Sequence, residues 1–175
     1  LSTITPCSWF GVNCLNNHVY FLNLSNNQLS GALPPQIGDF PEMLGVYMEG
    51  NQLSGTIPTQ LSNLTKLIDL RLSNNQLAGS IPAQLGSLPT LYYLYLNNNQ
   101  LSGSIPAQLG NRTGLIGLNL CCNQLSGNVP TQLGNLTELK ALNLENNGAL
   151  SGALPGTLTN LRKLATFWFH NTSLC

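Results

Sequence analysis

Tyr47, Arg71 and Tyr95 follow one another at intervals of 24 residues, and each has a second chemically capable side chain nearby. Asp69 and Tyr93 precede Arg71 and Tyr95 by two positions, and Glu49 follows Tyr47 by two. A guanidinium between two phenol rings, surrounded by carboxylates, combines large contact area with directional polar groups, as binding hot spots do. The competing reading is that these side chains only cover the surface beneath them. Glu49 and Asp69 also form a carboxylate pair of the type used in glycoside hydrolysis. An enzyme needs such groups held at reacting distance in a pocket, and a regularly repeating surface implies no deep one. The chain therefore reads as a non-enzyme.

The five cysteines fall in three places: Cys7 and Cys14, the adjacent Cys121 and Cys122, and Cys175 as the last residue. Cys7 and Cys14 flank Trp9, Gly11 and Val12 just before the periodic region, where a small disulfide-stapled cap fits an oxidising compartment. Cys121 and Cys122 stand where another repeat carries Ser73 and Asn74, and three fates are open to them: a vicinal disulfide, free thiols or a link to another chain. Zinc is disfavoured, because only His18 and His170 could assist the thiols. No metal or other cofactor is implied. Six basic residues balance six acidic ones and charged residues make up 7% of the chain, far below the roughly one quarter of an ordinary soluble domain. Neither nucleic acid nor an anionic membrane has an electrostatic handle here. No apolar run approaches the roughly 18 residues of a membrane span.

The elements that position these side chains follow from a period. Asn27, Asn51, Asn75, Asn99 and Asn123 recur every 24 residues, and Asn147 continues the series before one extra residue shifts the next unit. Around Asn75 the unit reads Leu67, Leu70, Leu72, Asn75, Leu77, Gly79, Ile81, Pro82, Leu85 and Leu88. Leu70 and Leu72 alternate as in a strand, and Asn75 and Gly79 mark turns. One such unit cannot bury its leucines alone, whereas stacked units share a one-dimensional core. The recurrent Asn is expected to point inward and bond backbone groups of adjacent coils. Gly31, Gly55, Gly79, Gly103, Gly127 and Gly152 are expected to supply special backbone angles, and the prolines three residues on an extended turn. Two departures mark irregularities: Arg112 replaces the Leu seen at Leu88 and Leu136, and a local bulge is expected near Gly148.

This unit, with the Leu-Ser-Gly-x-Ile-Pro signature at Leu53 to Pro58 and Leu101 to Pro106, resembles the plant-type leucine-rich repeat. The resemblance implies a right-handed curved superhelix with a parallel β-sheet on its concave face and a second short-strand region after the signature. It divides the chain into a cysteine cap over residues 1–18, repeats over 19–170 (six full and one partial) and the start of a closing cap over 171–175. Cys7, Trp9, Gly11, Val12 and Cys14 look like the Cys-x-Trp-x-Gly-Val-x-Cys cap of plant-type ectodomains, which implies a Cys7–Cys14 disulfide. Relatives of this type include receptor ectodomains and cell-wall enzyme inhibitors.

Side chains of a strand alternate between faces, so the outward positions of stacked strands form rows. The central row is Asn23, Tyr47, Arg71, Tyr95, Asn119, Asn143 and Trp168, flanked by Phe21, Gly45, Asp69, Tyr93, Gly117, Ala141 and Thr166. The leading expectation is an extracellular recognition module, secreted or at the cell surface, that binds a protein, peptide or glycan through Tyr47, Glu49, Asp69, Arg71, Tyr93, Tyr95, Asn119 and Asn143. The alternative is ice binding by evenly spaced polar rows, with Thr56, Ser80, Ser104 and Asn128 facing the ice. Asn63, Asn111 and Asn135 head Asn-x-Ser/Thr acceptors on the opposite side, suited to glycans in a eukaryotic secretory pathway, whereas a glycan on Asn23 would obstruct the sheet.

Overall fold

The computed structural model describes residues 6–175, so the first five residues of the cap expected over 1–18 lie outside the described residues. A strand at Val12–Leu15 pairs antiparallel with His18–Asn23, and six further strands follow in parallel. These are Gly45–Tyr47, Asp69–Arg71, Tyr93–Tyr95, Gly117–Asn119, Ala141–Asn143 and Thr166–Trp168, which complete an eight-stranded sheet in sequence order. Neighbouring strands in sequence are thus neighbours in space, as stacking of one repeated unit requires. The cap is continuous with this sheet and is stapled by the Cys7–Cys14 disulfide.

Each coil leaves the sheet through a turn held by the recurrent Asn. Asn99 donates from Nδ2 to Leu72 O (2.9 Å) and Leu96 O (3.1 Å), while its Oδ1 accepts from Leu77 N (3.0 Å). Asn51, Asn75, Asn123 and Asn147 repeat this pattern, so one amide satisfies backbone groups of two coils at once. Asn27, first in the series, departs from it: its side chain is exposed, and its own N–H donates to Asn51 Oδ1 (3.0 Å). The coil before it is only the cap, which offers no leucine-lined turn to bridge.

A second run of short strands covers Gln52–Ser54, Ala78–Gly79, Gln100–Gly103, Gln124–Gly127 and Ala149–Gly152. These strands lie on the Gln-Leu-Ser-Gly segment itself, or on its equivalents Gln-Leu-Ala-Gly and Ala-Leu-Ser-Gly, rather than after it as the resemblance implied. The glycines that end or directly follow them, with Gly31, take φ between 73° and 92°, a left-handed conformation that glycine adopts without a Cβ penalty. Pro34, Pro58, Pro82, Pro106, Pro130 and Pro155 then hold extended backbone, and each opens a five-residue 3-10 helix that closes the coil.

The core is a set of leucine columns. Leu70, Leu72, Leu77, Leu85 and Leu88 are fully buried, and their equivalents one coil later, Leu94, Leu96, Leu101 and Leu109, are as well. Leu22, Leu24 and Leu29 at the front and Leu158, Leu164 and Leu174 at the back are only partly buried, because end coils have one neighbour instead of two. The extra residue after Asn147 is absorbed where the bulge was expected: Gly148 turns outward, Asn147 keeps its bonds, and Leu150 N donates to Asn147 O (3.0 Å). Arg112 breaks the column that Leu88 and Leu136 occupy. Its Nη1 donates to Leu88 O (2.5 Å), and its Nε is buried without a partner among the described residues.

Candidate ligand-binding face

Strand register aligns Asn23, Tyr47, Arg71, Tyr95, Asn119, Asn143 and Trp168 as directly paired neighbours across the sheet. The second row, Phe21, Gly45, Asp69, Tyr93, Gly117, Ala141 and Thr166, runs beside it in the same register. The geometry at the centre is compact. The Arg71 guanidinium carbon lies 5.2 Å from the Tyr47 ring centroid and 5.3 Å from that of Tyr95, close enough for a cation–π contact on each side. Arg71 Nε and Nη2 donate to Asp69 Oδ2 at 3.0 and 2.8 Å, and Nε also reaches Oδ1 at 3.1 Å. This fork fixes the guanidinium plane.

Burial differs sharply within the pair. The Asp69 side chain is 8% exposed and that of Arg71 42%, so the carboxylate belongs to the floor and the guanidinium to the surface. The Glu49 and Asp69 carboxylates therefore do not form a free pair, since Asp69 is committed to Arg71. The phenols of Tyr47 and Tyr95 are both held above their usual range, first by burial. For Tyr47 the Asp69 carboxylate adds to the rise and Arg71 opposes it; for Tyr95 the Arg71 opposition is second to burial. The face thus presents neutral phenols and one cation.

Glu49, Arg71, Tyr95 and Asn119 share an open hollow of about 290 Å³, completed by Ser73, Asn74 and Asn97. Tyr93 packs against Tyr95 with ring centroids 6.1 Å apart, whereas Asn143 lies outside the hollow. Asn119 and Asn143 both turn back on their own chain, accepting from Cys121 N (3.2 Å) and Glu145 N (3.0 Å). Two residues that the sequence reading did not single out shape the site. A Cβ on Gly117 would stand 2.8 Å from Tyr95 Oη and one on Gly45 2.6 Å from Phe21 Cδ1, so glycine in the flanking row is what lets these rings lie down on the sheet. Their signal in the sequence was a gap in an otherwise filled row.

Away from this face, Asn63, Asn111 and Asn135 are exposed as the last residues of three of the 3-10 helices. Thr56, Ser80, Ser104 and Asn128 are exposed along a different flank and line one hollow of about 690 Å³ with Pro82 and Pro106. At the open end of the sheet Trp168 is 42% exposed, and His170 Nδ1 lies 2.6 Å from Glu145 Oε1.

A parallel-sheet solenoid with a leucine core, an Asn ladder and a disulfide cap defines a class of repeat protein. Comparison with known proteins makes it specific: the model for "Leucine Rich repeats (2 copies)" matches residues 65–107, and that for "Leucine Rich Repeat" matches 18–40 and 114–136. The chain belongs to the leucine-rich repeat family and is of the plant type. It is similar to the ectodomain of the Arabidopsis receptor kinase HAESA, solved with an extended IDA peptide hormone, at 37% identity and a TM-score of 0.89 over 99% of this chain and 30% of that one. It is also similar to a chain of the BIR3–SERK2 complex from Arabidopsis thaliana, at 33% identity and a TM-score of 0.70 over 84% of each chain. Among curated proteins, Protein MALE DISCOVERER 1 of Arabidopsis thaliana is 49% identical over 37 residues, which are 21% of this chain and 5% of that protein. The chain therefore spans less than a third of HAESA's ectodomain and a small part of MALE DISCOVERER 1.

Proposed function

We propose that this chain is an extracellular recognition module, secreted or displayed at the cell surface, that binds a protein, peptide or glycan through the concave face expected of its eight-stranded sheet. The observation that carries the reading is Arg71 held between Tyr47 and Tyr95 on three adjacent strands and oriented by Asp69. Such a group offers a ligand a cation and two aromatic edges without ordering cost, because the side chains are already fixed. Glu49, Tyr93, Asn119 and Asn143 extend the contact surface. Among the similar structures, HAESA is in complex with a peptide hormone, which makes an extended peptide the first ligand class to screen. Glycans on Asn63, Asn111 and Asn135 would leave the sheet clear.

The test is a screen of peptide and glycan arrays with the purified chain, repeated with Tyr47→Ala/Tyr95→Ala. Ligands retained by the parent should lose at least tenfold in affinity in the double variant. Equal binding by both would move recognition off this face.

Ice binding is the second reading, favoured by one observation: Thr56, Ser80, Ser104 and Asn128 all line one hollow on one flank. It ranks lower because they line a hollow rather than a plane. Thermal hysteresis that disappears when Thr56, Ser80 and Ser104 are replaced by Lys would reverse this order.

A further inference from the structure

Cys121 lies on the sheet face in the row of Ser73 and Asn97, and Cys122 follows it at the mouth of the turn. In every coil the residue in Cys122's place takes a left-handed conformation: Asn26, Asn74, Asn98, Asn146 and Asn171 have φ of 52–55°, Gly50 70° and Cys122 57°. Asn and Gly tolerate this region at low cost, whereas Cys gains nothing locally from it. The coil imposes it, through Cys122 N donating to Glu145 O (2.9 Å) and Asn98 N donating to Cys121 O (3.0 Å). The imposed turn brings the two sulfurs to 3.2 Å, while Asn146 Nδ2 approaches Cys122 Sγ at 3.5 Å. A disulfide bond is about 2.05 Å long, so closure needs roughly an ångström of inward rotation. Zinc is a poorer fit, because no group of three or more His, Cys, Asp or Glu able to hold a metal occurs among the described residues.

We propose that Cys121 and Cys122 form a two-electron oxidation site that closes to a vicinal disulfide by exchange with a low-molecular-weight disulfide. The Cys7–Cys14 bridge indicates a compartment where oxidants of this class occur. Cys122 is partly exposed and Cys121 buried, so Cys122 meets the reagent first. Its thiolate attacks one sulfur of R–S–S–R, forming Cys122–S–S–R and releasing RS⁻. Cys121 then loses its proton to the released thiolate and attacks Cys122 Sγ, expelling the second RS⁻. Two protein thiols are oxidised and one external disulfide is reduced to two RSH. Burial, with help from the Cys122 contact, pushes the Cys121 thiol up to about 12, which makes the second step the slow one. Since Cys121 N donates to Asn119 Oδ1, the oxidation site borders the hollow on the sheet face.

The experiment treats the chain carrying Cys175→Ser, which removes the exposed third thiol, with oxidised glutathione and reads peptide masses after acid quenching. The expected product is a Cys121–Cys122 peptide lacking two hydrogens, with no glutathione retained and full reversal by dithiothreitol. Cys121→Ser should trap glutathione on Cys122, and Cys122→Asn, which restores the residue of other coils, should keep the parent's unfolding midpoint and never lose the two hydrogens. Glutathione retained on Cys122 of the otherwise unmodified pair, covalent dimers through Cys122, or two unreacted thiols would each overturn the proposal.

Discussion

Two columns of side chains run the length of this solenoid, one residue per coil, and they obey opposite rules. The turn column, Asn51 to Asn147, uses the same residue in every internal coil; the central face row changes from Asn to Tyr to Arg and back. The difference is in what each column bonds. An Asn amide reaches backbone carbonyls and N–H groups, and the backbone presents the same groups in every coil, so only one side chain answers. The face row meets water and its own neighbours; where it carries Asn, as at Asn23, Asn119 and Asn143, the amide oxygen accepts from the N–H two residues on, and the coils of Tyr47, Arg71 and Tyr95 form without that bond. Variation on this face is therefore permitted by the fold.

The largest effect is expected from breaking the first rule. Asn99→Ala leaves Leu77 N without its buried acceptor, at about 1–3 kcal/mol, and removes one of the two Asn donors on Leu72 O and on Leu96 O, which keep Asn75 Nδ2 and Asn123 Nδ2 respectively. A net loss of about 3 kcal/mol in urea unfolding is expected. Asn27→Ala, in the same sequence phase but exposed, should cost less than about 0.5 kcal/mol. If the two substitutions cost alike, the two-coil bridge is not the reason for the repeat.

Next comes the face cluster. Arg71→Met removes both ring contacts and leaves the Asp69 carboxylate nearly buried and unpaired. Loss of a fully buried partner costs about 3–5 kcal/mol, but the Arg71 side chain is 42% exposed and water screens the pair, so about 1–2 kcal/mol is expected. Adding Asp69→Asn to Arg71→Met should recover part of that loss, which a double-mutant cycle reads directly. No recovery would mean the two groups are not coupled and the cluster is only a cover.

Much of this was legible in the sequence, for a physical reason. An exact 24-residue period forces equivalent residues into register, so the Asn ladder, the leucine columns and the face rows followed from counting. What escaped was whatever depends on a neighbour's shape instead of on phase. The place of the second strands on Gln-Leu-Ser-Gly depends on which backbone groups adjacent coils bring together. The exposure of Asn27 depends on the cap before it lacking a coil turn. The left-handed column through Asn74, Asn98 and Cys122 has no apolar periodicity to reveal it. Gly45 and Gly117 looked like gaps because the rings that fill the space belong to other coils.

Gly117→Ala sharpens that last point. Its new Cβ would meet Tyr95 Oη at 2.8 Å and Tyr93 Cδ1 at 3.2 Å, and φ there is not left-handed, so the rings must yield. About 1 kcal/mol of stability is expected to be lost. The more telling readout is loss of the ring-current shift that Tyr95 imposes on the Arg71 protons, with the Tyr47 side of the cluster unchanged.

The smallest effect is electrostatic and appears only in alkali. Tyr47 and Tyr95 are held above the ordinary phenol range in the folded chain, by burial before any charge. For a group whose folded pKa is raised, stability is fully present below the unfolded pKa and is lost as pH rises through the folded one. Unfolding free energy should therefore be flat near neutrality on this account and begin to fall above about pH 10. Tyr47→Phe/Tyr95→Phe should flatten that decline, because neither ring can then ionise in either state. The same variant keeps both ring faces for Arg71, so it separates the phenol hydroxyls from the aromatic contacts. A decline as steep in the double variant as in the parent would place the alkaline loss elsewhere and leave the two rings as contacts of Arg71 alone.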